Sequence, residues 1–138
     1  MDSYDIALLN GAETTFRVPF LQSALGEPKV GFIIVGKDSP QFIECEKRMR
    51  IESVKRRALA GKLIDTRTDE GAAELVGISI ENEIRLAAAV TVGWFGFTDQ
   101  STEAPFDPAL ARKALEKRAA WRTAIMQALE NESNFLPS

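Results

Sequence analysis

Two short runs of aromatic and β-branched residues flanking a turn constrain this chain most. Between Thr14 and Phe20, Phe16, Val18 and Phe20 fall on one side by the two-residue period of a strand. Lys29 to Val35 reads as a second, stronger strand, reached through the turn residues Gly26-Glu27-Pro28 and closed by Gly36. The pair predicts a β-hairpin over 14–36, with Pro19 at an edge or end because it cannot donate to a ladder. Two strands alone are marginal in water, so the hairpin must be covered by helices or paired with a partner's strand.

The remaining apolar residues carry helical spacing. Asp38-Ser39-Pro40 joins a capping hydroxyl to a proline at the first helical position and predicts a helix from Pro40 to about Ala60, stopped by Gly61. Its expected inner face is Phe42, Cys45, Met49, Val54 and Ala58. A second long helix is expected from about Thr68 to Trp94, with Ala73, Val76, Ile80, Ile84, Ala87 and Trp94 as its stripe. Gly71 and Gly77 would weaken its first turns and allow a start nearer Ser79. Asp107-Pro108 repeats the cap-plus-proline signal ahead of Ala109 to about Glu130, as one helix or as two broken near Arg118 to Ala120. The fold class expected is α+β, mostly α-helical: an N-terminal hairpin followed by three or four helices over 39–136. The chain reads as a single domain, 1–138, with residues 1–13 a mobile end or an added edge strand.

Composition narrows the chemistry. The 138 residues include no histidine and one cysteine, Cys45, which removes histidine-dependent nucleophile systems, histidine zinc sites and any intrachain disulfide. Neighbouring carboxylates such as Glu81 with Glu83, or Asp69 with Glu70, are one or two residues apart and do not face each other on a helix. No glycine pattern forms a phosphate loop. No catalytic residue, cofactor site or metal site is therefore assigned. Cys45 reads as a small buried hydrophobe, with a reactive thiol as the alternative. No long apolar window or secretory leader is evident, and the acidic start at Asp2 and Asp5 fits a cytoplasmic protein with no membrane partner.

The stretch from Lys47 to Lys62 holds seven Lys or Arg against one acid, Glu52. It suits a phosphate backbone, an acidic protein partner or a solvated helix face. The net charge of −3 and the lack of interleaved aromatics disfavour nucleic acid. Trp94, Phe95, Phe97, Phe106, Trp121 and Phe135 concentrate aromatic area in the C-terminal third, as core with an exposed part that could form a partner groove.

In order and spacing these patterns resemble the tail assembly chaperones of long-tailed, siphovirus-like bacteriophages. The resemblance runs from about Pro28 to Leu136. Its parts are the strand ending in Gly36-Lys37-Asp38-Ser39, the arginine-rich helix from Gln41 to Arg57, the Thr91-Val92-Gly93-Trp94 helix end, the Ala104-Pro105-Phe106 loop and the closing Asn134-Phe135-Leu136. It does not extend to the first 27 residues. Where that family often has a proline and an aromatic inside the terminal helix, this chain has Ala119-Ala120-Trp121, which favours one continuous helix.

The resemblance implies a non-enzymatic, non-structural assembly factor in the cytoplasm of an infected bacterial host. It would bind the tape measure protein, keep its helical segments soluble, help recruit tail tube subunits and leave before the virion is complete. Self-association is compatible with that role, and such proteins are often also made as a longer frameshifted product. The expected contacts are Arg48, Arg56, Arg57, Trp94, Phe97, Phe135 and Leu136. The alternatives are a virion tail-completion or connector protein and a nucleic-acid-binding regulator using the basic helix at 47–62.

Overall fold

The computed structural model describes residues 14–22, 24–60 and 64–136. The expectations for residues 1–13, the helix stop at Gly61 and the basic Lys62 fall outside the described residues. The fold is α+β. Strands β1 (Thr15–Gln22) and β2 (Pro28–Val35) form the expected hairpin, followed by helices α1 (Pro40–Ala60) and α2 (Asp69–Val90). Strand β3 (Thr91–Phe95) leads into a small two-stranded ribbon, β4 (Thr98–Asp99) and β5 (Thr102–Glu103). Helices α3 (Pro108–Lys117) and α4 (Ala119–Glu130) and a 3₁₀ turn (Glu132–Phe135) complete the order.

The hairpin's support comes from within the chain: helices cover one face, and a third strand stands where a partner's strand was expected. β3 pairs antiparallel with β2, giving a sheet in the order β1-β2-β3 with Pro19 on an edge strand beside a break in register. This strand replaces the end of a helix expected to run to Trp94. The chain leaves the helix where Thr91 donates its hydroxyl to the Ala87 carbonyl at 2.8 Å, and β-branched Thr91 and Val92 then favour the pleated backbone. Register places Phe16 and Val18 opposite Ile34 and Phe32, with Trp94 beyond Phe32. This face carries the core: Val18, Phe32 and Ile34 pack with Leu86, Ala87, Val90, Ala111, Leu115, Ile125 and Leu129.

Local chemistry sets the helix starts. The Ser39 hydroxyl donates to the Gly36 carbonyl at 2.6 Å and accepts from the Phe42 N–H. Thr68 Oγ1 accepts from the Gly71 N–H at 3.0 Å, which fixes the start of α2 there rather than near Ser79. Asp107 caps α3 through the Ala109 N–H with Pro108 at the first turn. The terminal helical segment is broken at Arg118 (φ −118°, ψ 88°), against the continuous helix that the missing proline suggested. The buried Arg122 guanidinium explains how a break is tolerated without proline. Its Nη1 donates to the Leu115 carbonyl at 2.6 Å, satisfying a buried carbonyl of the last turn of α3 from the first turn of α4.

At Gly31 only glycine fits. A Cβ there would strike the Val18 carbonyl and lie 2.7 Å from the Phe95 ring. Phe95 lies across this bare backbone on the face opposite the core, with the Arg17 guanidinium 4.7 Å above its ring.

Candidate functional site

Helices α1 and α2 run back along each other, and only part of that pair belongs to the core. Arg85 closes on Glu52 with two hydrogen bonds, 2.9 and 2.7 Å, the main polar clip between them. The pairing holds the Glu52 carboxyl below its ordinary pKa, with the Arg85 hydrogen bond the leading cause, and holds Arg85 above its own for the same reason. Beyond the clip lies a cleft of about 510 Å³, where Met49 and Arg56 of α1 face Glu74, Gly77 and Ile78 of α2.

The outer half of this pair is an arm with unburied apolar side chains. On α1, Ile51 and Val54 are exposed and Leu59 is 89% exposed; Ile43 is exposed too, but in the first turn beside the core residue Phe42. On α2, Leu75, Val76 and Ile80 are exposed. The expected inner face of α1 is therefore half right. Phe42 is buried and Cys45 and Met49 are half-buried, but Val54 is 67% exposed and Ala58 is exposed as well. Similarly, Ile84 and Ala87 of the α2 stripe are buried, while Ala73, Val76 and Ile80 are not. The apolar repeat continues past the point where the sheet, α3 and α4 cover it.

The residues singled out in the sequence fall into separate groups. Arg48, Arg56 and Arg57 are on α1. Arg48 reaches Glu44 at 3.8 Å, Arg56 lines the cleft, and Arg57 is exposed. Trp94 and Phe97 are half-buried in an aromatic cluster with Phe32, Phe106 and Trp121. The Trp94 Nε1–H is committed to the Ala104 carbonyl at 2.9 Å. Phe135 meets Phe16 edge-on at 6.1 Å and covers Gly36, and Leu136 beside it is half exposed. The arginines thus share one helix, whereas Trp94, Phe97 and Phe135 are largely occupied in holding the base together.

Sequence reasoning missed Ile43, Ile51, Leu75 and Val76 as surface residues. The signal was available: Ile51, Val54 and Ala58 lie on the side of α1 opposite Cys45, Met49 and Arg56 at ~100° per residue. The helix therefore has two apolar edges, of which one partner helix can cover one. Cys45 is half-buried, and burial pushes its thiol pKa up more than Arg85 and Arg48 pull it down. It is held as a protonated thiol. Among the described residues no group of three or more cysteine or carboxylate side chains is arranged to hold a metal, and no helix is long and apolar enough to cross a membrane. Comparisons with protein-family models, curated proteins and solved structures found no match.

Proposed function

We propose that this chain is a non-enzymatic phage tail assembly chaperone that binds the tape measure protein, keeps it soluble and helps recruit tail tube subunits, acting in the cytoplasm of the infected bacterium. The observation that carries the reading is the arm, whose apolar side chains on both helices lie outside a core that is complete without them. A protein that shields long helical segments of another needs apolar surface it can offer without unfolding. Scattered contacts of this kind bind shallowly and reversibly, and the cationic α1 sets register and rate of encounter.

The test is co-expression with a tape measure protein and tail tube protein from the same genome, followed by fractionation and pull-down. The expected result is that the tape measure protein becomes soluble only with this chain and co-purifies with it. A tape measure protein equally insoluble with and without the chain overturns the reading. Retention of the chain in finished particles would point to a virion component, and salt-sensitive binding to DNA or RNA to a regulator.

A further inference from the structure

The outer face of α1 carries a short seam with coiled-coil spacing, apolar at Ile51, Val54 and Ala58 and charged at Glu44 and Lys47. Glu44, Lys47, Ile51, Val54 and Ala58 recur at alternating spacings of three and four, the repeat of a seam. The four flanking positions of the same two heptads are Arg48, Arg50, Lys55 and Arg57, every one of them cationic. This seam faces away from α2, which meets Cys45, Met49, Glu52 and Arg56 on the opposite side, and no described element covers it. Its flanks are largely uncommitted. Arg48 and Arg50 make only exposed pairs one turn back, to Glu44 and Glu46, and Lys55 and Arg57 make no ion pair with any described residue.

We propose that the outer face of α1 docks an amphipathic helix of a partner protein, one that presents apolar residues along its seam and acidic residues on both flanks. Charge selects this occupant. A second copy offering its own α1 would set four cations against four, and like charges at flanking positions oppose pairing. A second copy offering α2 is little better. The exposed seam there, Ala73, Val76 and Ile80, is flanked by Glu70, Ala72, Gly77 and Ser79, a single acid, and Glu74 and Glu81 are turned to the cleft. The two charged seam positions add register, since Lys47 calls for an acid opposite while Glu44 is already paired with Arg48. The inference gives the chemistry of the segment that the chaperone reading requires, and so rests on that reading for the partner's identity.

The experiment uses the full chain and designed fluorescent peptides of about four heptads, long enough to be helical in isolation. One has leucine along the seam and glutamate on both flanks, a second replaces the flanking glutamates with lysine, and a third replaces the seam leucines with glutamine. Anisotropy titration should give binding of the glutamate-flanked peptide about tenfold or more tighter than of the other two, weakening as salt is raised. The double variant I51Q/V54Q, which changes only exposed side chains, should lose the binding. The variant R48E/R50E/K55E/R57E, which turns all four flanking cations into acids, should invert the preference towards the lysine-flanked peptide, which keeps the test independent of any loss of stability. Equal affinity for the glutamate- and lysine-flanked peptides, or binding of none, overturns the proposal. So does a self-associated species in sedimentation that I51Q/V54Q dissolves, since a second copy would then hold the face. The two readings fail separately: if I51Q/V54Q still solubilises the tape measure protein, the chaperone reading stands and this face is wrong.

Discussion

A single helix, α2, belongs to both regions of this molecule. Its C-terminal half carries Ile84, Ala87 and Val90 into the core against β2, α3 and α4, while its N-terminal half carries Val76 and Ile80 on the same repeat into solvent. The base is a sheet closed by three helices. The arm is two helices that meet through one ion-pair clip and a cleft. An apolar repeat therefore defines a face, and only the placement of neighbouring elements decides whether that face is filled.

The largest expected effect separates the regions outright. Leu115 and Ile125 are fully buried in the base, so Leu115→Ala should cost about 2–5 kcal/mol in denaturant unfolding, through lost burial and the cavity left behind. Val54→Ala on the arm should change the same measurement by no more than about 0.5 kcal/mol. Comparable losses at both sites would mean that the arm is packed as the base is. Native-state hydrogen exchange should agree, with amides around Val54 and Val76 opening well below the global unfolding free energy and those around Val90 and Leu129 close to it.

Among the described residues, the non-glycine positions at positive φ fall together in the β4–β5 ribbon. The turn between β4 and β5 has positive φ at both central residues, Gln100 at 51° and Ser101 at 71°, where asparagine and glycine are the favoured pair. Replacing them as Q100N/S101G should stabilise the chain by about 1 kcal/mol, read as a shift in the denaturation midpoint at unchanged slope. No gain would mean that the surrounding chain compensates for the strain.

Gly77 offers a smaller gain within the arm. A Cβ there meets nothing within 4 Å, so the glycine serves no close approach of α1. Gly77→Ala should stabilise by about 0.5–1 kcal/mol through helix propensity alone. The gain should appear as added exchange protection in the first half of α2 and leave the base unchanged. Destabilisation would show that the cleft closes in solution.

What the sequence revealed depended on whether the signal was local. The hairpin was legible because alternation and turn residues fix strand pairing over a short span, and Ser39-Pro40 and Asp107-Pro108 marked helix starts through contacts within four residues. β3 was not, because Thr91 to Phe95 continues an alanine-rich helix without a break in polarity, and its strand identity comes from pairing with β2, some 60 residues earlier. The arm was half legible. Its basic character was plain between Lys47 and Arg57, but the periodicity admitted two apolar edges on α1, and the edge that meets α2 is set by the clip from Glu52 to Arg85, 33 residues apart. The aromatics of the C-terminal third are joined from the hairpin side by Phe20, which stacks on Trp121, and Phe32, which meets it edge-on.

That clip makes the arm's integrity depend on pH. The Glu52 carboxyl has its pKa lowered in the folded chain, first by the Arg85 hydrogen bond. A depressed carboxyl contributes stability that is complete above its unfolded value, ~4.3 for glutamate, and is lost as pH falls through the lower folded value. Asp65, just ahead of α2, is lowered by Arg67 in the same direction and adds to the effect with the same sign. Both groups are exposed, so the change should be a local loosening rather than unfolding of the chain. Exchange protection around Glu52 and Arg85 should decline as acid is added, while protection at Leu115 and Ile125 holds. Glu52→Gln should loosen the arm at neutral pH and remove most of its further acid response, with Asp65→Asn removing the remainder. If wild type and both variants lose arm protection along one acid profile, the clip does not hold the helices together, and their pairing rests on packing of half-buried side chains such as Cys45 and Met49.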